Sequence, residues 1–216
     1  MLLRLPSGQK IAISPVFPWE SRNLQILRIR SGRSFNPDHV TTRLSLALLD
    51  ALLHHARCRS LLDVGCGCGI LALAAARLGV PFVVGLDISV VAVKISAQNA
   101  LDNSFDGCPL WFVGTLDAVD HQFDCITANL PYHVIGQIKD DLARVLKRGG
   151  HLILSGFHDI HWNQLYNEFT TMGYSLQASL TGDRSFYGAP PSGSFTWMAV
   201  DLVFNGAGAE QTEEGK

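Results

Sequence analysis

The segment Asp63-Val64-Gly65-Cys66-Gly67-Cys68-Gly69 sets three alternating glycines between an apolar run and the helical pattern Ile70-Leu71-Ala72-Leu73-Ala74. Glycines let the chain turn tightly and bring its backbone against a nucleotide without Cβ interference. Asp87 ends the next apolar run, eighteen residues after Gly69. A carboxylate there can accept hydrogen bonds from both hydroxyls of a ribose. Sixty-six residues after Asp63, Asn129-Leu130-Pro131-Tyr132 closes another apolar run. That is the carboxyl edge where open α/β sheets bind ligands, although Asn and Pro also favour plain turns.

Other reactive residues carry less. Cys66-x-Cys68 has no second pair at ligand spacing, since Cys108 and Cys125 stand singly, so small side chains in a tight loop explain it better than a metal. His158-x-x-His161 likewise lacks partner ligands and reads as a polar strand-to-helix junction. Five cysteines with no secretory signal before them imply reduced thiols and a cytoplasmic setting.

The elements that must hold these residues follow from periodicity. Uniformly apolar strands over 60–64, 81–88, 110–113, 123–128 and 151–155 alternate with helices over 69–78, 89–103 and 134–146. Strands of this kind belong to a parallel sheet covered on both faces. Ser89 is placed to cap its helix, and Gly149-Gly150 reads as a turn. A helix from Thr41 onward has Asp38 or Thr41 available as N-cap. After a helix over 160–172, runs over 174–180 and 195–204 look like an antiparallel pair at one edge. Before residue 30, short apolar runs broken by Pro6, Pro15 and Pro18 suggest small strands, and Leu27-Arg28-Ile29-Arg30 alternates like a strand with one wet face. The expected fold is α/β, a doubly wound, mostly parallel, Rossmann-like sheet with an antiparallel edge hairpin. The expected organisation is a strand or cap segment over 1–40, a ligand-binding domain over 41–204 and a flexible tail over 205–216.

The pattern Asp63-x-Gly65-x-Gly67-x-Gly69 resembles motif I of class I S-adenosylmethionine-dependent methyltransferases, and Asn129-Leu130-Pro131-Tyr132 resembles motif IV of amino-methyltransferases, in the variant seen in adenine dimethyltransferases of ribosomal RNA. That resemblance implies a chemistry. The Asn129 oxygen and the Leu130 or Pro131 carbonyl would accept the two hydrogens of an –NH2 group and aim its lone pair at the methyl; Pro131 contributes no competing N–H, and Tyr132 would stack on a planar group. Gly32-Arg33-Ser34-Phe35-Asn36-Pro37-Asp38-His39-Val40-Thr41-Thr42 is similar to the segment before motif I in ribosomal protein L11 methyltransferases, with Asn36-Pro37-Asp38 where that family has Gly-Thr-Gly. The likeness runs over about residues 32 to 200, but only some thirty residues stand where that family has a long substrate-gripping domain. It implies S-adenosyl-L-methionine as cofactor, held by Asp63, Gly65, Cys66, Gly67, Gly69, Asp87 and Ile88, with the adenine near Leu116 and Asp117. His39, Thr41 and Thr42 would line its methionine end, and Asn129 would also contact the cofactor. Asn129, Pro131, Tyr132 and, as a possible base, His39 form the catalytic set.

The implied acceptor is an amino nitrogen of a protein, most simply a ribosomal one. Two alternatives stand beside it. An exocyclic base amine of RNA or DNA fits the Asn-Leu-Pro-Tyr motif. An NAD(P)-dependent oxidoreductase, or a non-catalytic nucleotide-binding module, fits Gly67-x-Gly69-x-x-Ala72, yet Tyr132 is followed four residues on by Gly136 rather than by the lysine of a hydride site. Composition weighs between acceptors. The net charge of −2 lacks the excess of a dedicated nucleic-acid binder, while residues 1–60 hold nine basic against three acidic side chains, a segment that RNA would fit. The most apolar tract, residues 61–86, is broken by Asp63, Arg77 and Pro81, so no membrane span is expected.

Overall fold

The computed structural model describes residues 2–4, 10–12, 25–31, 37–183 and 196–206. Short strands β1 (Leu2–Arg4), β2 (Lys10–Ala12) and β3 (Gln25–Ile26) form a small sheet, antiparallel between β1 and β2 and parallel between β2 and β3. Then come α1 (Val40–His55), β4 (Ser60–Val64), α2 (Ile70–Arg77), β5 (Phe82–Asp87), α3 (Val90–Asp102), β6 (Leu110–Val113) and β7 (Phe123–Asn129). The chain continues through α4 (Tyr132–Val145), β8 (Leu146–His158), α5 (Trp162–Thr171), β9 (Tyr174–Gly182) and β10 (Trp197–Phe204).

The main sheet has the order β6-β5-β4-β7-β8-β10-β9. Strands β4 to β8 are parallel, and β10 runs antiparallel to both β8 and β9. Side chains alternate between two cores because successive strand residues face opposite ways. Leu61, Val83, Cys125, Ile153 and Ala199 pack beneath α1 and α2. Leu62, Val84, Ile126, Leu154 and Val200 pack beneath α4 and α5. From β4 the chain winds outward through β5 and β6, and from β7 it winds the other way through β8. The neighbours β4 and β7 therefore form the switch point at which such sheets open a crevice beyond their carboxyl ends.

Several local expectations need correction. The N-cap of α1 is His39, whose Nδ1 accepts from the Thr41 amide at 3.3 Å, rather than Asp38 or Thr41. Gly149-Gly150 does not turn the chain between elements. It lies in a bulge of β8, where Phe123 pairs with Leu146 and Cys125 already pairs with His151. The last helix starts as a 3₁₀ turn, Asp159–His161, before α5 proper. Ser89 does cap α3, accepting from the Ala92 amide.

Residues 27–30 show the expected alternation, with Leu27 and Ile29 buried and Arg28 and Arg30 exposed, but among the described residues they pair with no strand. Their partners are two asparagine side chains of α3. Arg28 exchanges two hydrogen bonds with Asn103 (2.6 and 2.7 Å) and Arg30 exchanges two with Asn99 (2.8 and 3.0 Å). The match is geometric: residues four apart on a helix rise by about 6 Å, close to the advance of two residues along an extended chain. Residues 32–36 and the tail from 207 lie outside the described residues.

Candidate functional site

The glycine loop takes its shape from positive φ at Gly65 (69°), Gly67 (57°) and Gly69 (78°), a region in which side chains are strained. Close packing adds a second reason. A Cβ on Gly65 would stand 2.5 Å from the Leu130 side chain, and one on Gly69 would stand 2.6 Å from the Trp111 ring. The loop is then laced down by hydrogen bonds. The Gly65 and Cys66 amides donate to the Leu86 carbonyl (2.9 and 3.0 Å), and Ser96 donates to the Gly67 carbonyl (2.9 Å). Asn99, besides holding Arg30, donates to the Cys68 carbonyl (2.8 Å).

Gly69 begins α2 and has no side chain with which to cap it. Asp63 does this from the end of β4. One carboxylate oxygen accepts from the Ala72 amide, the third residue of the helix, at 3.2 Å, and the other accepts from the Thr127 hydroxyl at 2.8 Å. Burial outweighs these two bonds and pushes the Asp63 carboxyl up to about 7, with the charge of Asp87 acting in the same direction. Burial likewise lifts the Cys66 thiol strongly and the Cys68 thiol to about 11, so both stay protonated.

Asp87 is buried at the end of β5, where it accepts from the Gly67 amide (3.0 Å) and the Ser89 amide (2.8 Å). Beside it Ile88 is 77% exposed, an apolar surface beyond the strand ends. The expected adenine neighbours divide. Asp117 is exposed and accepts from Thr115, whereas Leu116 is buried in the core and presents its carbonyl to Arg144 (2.7 Å). The Leu116 side chain is thus a packing residue.

On the other side of the switch point, Asn129 ends β7 and its Nδ2 reaches the buried Thr42 hydroxyl at 3.5 Å. That assignment leaves Oδ1 as the acceptor atom. Leu130 is pressed between Gly65 and Gly156, since a Cβ on Gly156 would come within 2.3 Å of the Leu130 carbonyl oxygen. Pro131 is the N-cap of α4, and its carbonyl already accepts from Val134 and Ile135. Of the two carbonyls considered as acceptors for an incoming amine, Pro131 is therefore committed to the helix and Leu130 is the better placed. Tyr132 stacks on His161 with ring centroids 4.2 Å apart, so its face meets an imidazole from the 3₁₀ turn.

His39 caps α1. A backbone amide can only donate, so Nδ1 is the acceptor in this bond. Its ring meets Trp197 edge-on at 4.8 Å, and the same indole lies 3.8 Å from His158. Thr41 belongs to this cap as well, its hydroxyl 2.9 Å from His39 Nδ1. His158 and His161 do stand at a strand-to-helix junction, but Trp197 comes beside His39 and His158 only when β8 and β10 meet, and His161 meets Tyr132 at the start of α4. Asn99 and Asn103 were detectable in principle, as two amides on one face of an expected helix.

A cleft joins the two motifs, lined by Pro37, Thr42, Asp63, Gly65, Cys66, Cys68, Ile70, Leu71 and Asn129. Within this geometry a profile of the family described as ribosomal protein L11 methyltransferase (PrmA) matches residues 5–183. The chain belongs to that family. That family is one of methyltransferases, which speaks against the oxidoreductase alternative. A ribosomal protein L11 methyltransferase of Sorangium cellulosum is 33% identical over 94% of this chain and 68% of its own length. One from Desulforamulus reducens is 31% identical over 78% of this chain and 56% of its own. The chain thus spans between about half and two thirds of the curated relatives it matches. Solved structures bear out the fold. A ribosomal protein L11 methylase from Lactobacillus delbrueckii superposes with a TM-score of 0.75 at 23% identity, over 94% of this chain and 98% of that one. A magnesium protoporphyrin IX methyltransferase from Synechocystis with bound S-adenosylmethionine gives 0.58 at 21%, over 74% and 78%. No helix among the described residues is long and apolar enough to cross a membrane.

Proposed function

We propose that the chain methylates an amino nitrogen of a protein, a ribosomal protein in the manner of its named relatives. One observation carries the reading: the glycine loop with its buried acid and Asn129, the end of the second motif, line the same cleft. The loop fits a cationic nucleoside. Its glycines leave the backbone bare, each Asp87 oxygen keeps a lone pair for a ribose hydroxyl, and Asp63 offers a carboxylate that a neighbouring positive charge would ionise. Ile88 offers a planar base an apolar face.

When bound, S-adenosyl-L-methionine supplies a methyl group already activated by a sulfonium. The protein's task is then positioning, which can recover about 7 to 11 kcal/mol of barrier. Asn129, its Nδ2 engaged by Thr42, accepts one acceptor hydrogen at Oδ1 and the Leu130 carbonyl accepts the other. Both groups hold a neutral amine and neither removes a proton, so turnover should rise with pH as the acceptor ammonium deprotonates. A calorimetric titration with S-adenosylmethionine, S-adenosylhomocysteine and NAD tests the cofactor, with binding expected for the first two alone. Radiolabelled S-adenosylmethionine in a cell extract, followed by separate nuclease and protease digestion, tests the acceptor. Label released by protease is expected; label released by nuclease alone would transfer the assignment to RNA.

A further inference from the structure

The loop that follows β6 is held from a distant helix. The Gly114 amide donates to the Asp87 carbonyl (3.0 Å), so the chain leaves β6 beside the acid that ends β5. It then makes a 3₁₀ turn, Leu116–Ala118, in which the Val119 amide donates to the Leu116 carbonyl (3.0 Å). Leu116 and Val119 are buried in the core beneath α4 and α5, while Thr115 and Asp117 are exposed. The Thr115 hydroxyl donates to one oxygen of Asp117 and steadies it.

Arg144, in the last turn of α4, grips this loop with a fork. Nη1 donates to the Val119 carbonyl (2.6 Å) and Nη2 to the Leu116 carbonyl (2.7 Å), one on each side of Asp117 in the chain. Asp141, one turn back along the helix, steadies the guanidinium by accepting from Nε (3.3 Å) and Nη2 (3.0 Å). Gln122, farther along the loop, donates to the Arg144 carbonyl (3.0 Å). Two buried side chains hold a turn down but let it roll about the line between them, because apolar contact has no direction. Two bonds from a rigid planar fork stop the roll.

That orientation falls on Asp117. The cleft extends from the glycine loop to Asn129 of β7, whereas β5 and β6 lie on the other side of β4. A nucleoside with its ribose on Asp87 and its reacting end towards Asn129 extends its base over exposed Ile88, towards the loop after β6. Adenine joined to ribose has one N–H donor group, the 6-amino group, and a carboxylate at its edge can accept only from that.

We propose, on the cofactor reading given above, that Arg144 is a positioning residue for base recognition: by gripping the Leu116 and Val119 carbonyls it turns Asp117 towards the adenine 6-amino group. Arg144 acts through the turn rather than on the ligand.

Calorimetry compares S-adenosylhomocysteine with its analogue bearing hydrogen in place of the 6-amino group. The unmutated chain should bind the first at least about tenfold more tightly, since the analogue leaves a charged acceptor unpaired. Arg144→Met keeps a flexible apolar stem and removes the donors. It should shrink the preference to within about threefold by weakening S-adenosylhomocysteine, with the analogue's affinity within about twofold of its original value. Arg144→Lys keeps the charge but not the fork and should shrink the preference too, which serves if the methionine variant does not fold. Asp117→Ala should abolish the preference, and adding Arg144→Met to it should change the ratio no further, because the two residues act as one unit. An arginine that merely stabilised the fold would weaken both ligands alike; an unchanged ratio in both Arg144 variants therefore overturns the proposal. So does an unmutated chain that binds both ligands equally well, a result that leaves the cofactor reading standing. Binding of neither ligand by the unmutated chain would overturn that reading and this proposal together.

Discussion

Replacing Asp63 by asparagine tests the floor of the cleft with little steric change. The asparagine oxygen can still accept from the Ala72 amide, and its NH2 can donate to the Thr127 hydroxyl, so both contacts survive. What goes is a buried titratable group. Displacement of the Asp63 carboxyl from an ordinary 3.8 to about 7 corresponds to about 4 kcal/mol. The sign follows from proton counting. Below pH 3.8 the group is protonated in both the folded and the unfolded chain. Between 3.8 and about 7 only the folded protein retains the proton, so stability falls as pH rises, and above about 7 the loss is complete. Asp63→Asn has no such slope. Relative to the unmutated protein it should therefore gain about 4 kcal/mol between pH 4 and pH 8. Urea denaturation followed by circular dichroism at several pH values gives that difference directly, with other titrating groups cancelling. A difference constant to within about 1 kcal/mol would refute the assignment of a buried, proton-holding Asp63. The same variant should bind S-adenosylmethionine more weakly at pH 8, because the charge facing a cationic ligand is gone.

Asp87→Ala should weaken S-adenosylhomocysteine binding by about 1.5 to 3 kcal/mol, measured by calorimetry, since it removes an ionised acceptor and frees the Gly67 amide it anchors. Asn129→Ala should lower kcat at least about a hundredfold with cofactor affinity nearly unchanged; a variant with near-normal turnover would reduce Asn-Leu-Pro-Tyr to a helix-starting turn. Asn99→Leu leaves the Arg30 amide and the Arg30 and Cys68 carbonyls without their partner. It should cost about 2 to 4 kcal/mol by urea midpoint and also loosen cofactor binding, because the Cys68 carbonyl belongs to the loop.

The parts that were legible were those in which one residue type has one physical use. Alternating glycines after an apolar strand announce a loop whose φ angles exclude other residues, and Asp87 falls at the strand end where the loop needs an acceptor. The parts that were not legible depend on partners remote in the chain. His39 is an uncommon N-cap beside the more usual Asp38 and Thr41, and the Trp197 ring that meets its imidazole edge-on is remote in the chain. Asp63 had an expected role toward the cofactor, but its capping of α2 shows only when β4, the loop and β7 are assembled. Leu116 follows a strand as an adenine neighbour would, yet its side chain serves the core, because Arg144 of α4 draws the turn inward. Apolar periodicity cannot distinguish those two outcomes.

The asparagine ladder also sets a timetable. Residues 27–30 are made before their partners, which follow 69 and 75 residues later. At about 5 to 20 residues per second, the ribosome needs about 4 to 15 seconds to supply Asn99 and Asn103. During that interval the backbone groups of Arg28 and Arg30 have only water to bond, and Leu27 and Ile29 have no α3 to cover them. A codon change that slows translation between residues 31 and 99 lengthens this window without altering a single side chain. The nascent chain's demand for a chaperone should follow that delay, even though the finished proteins are identical.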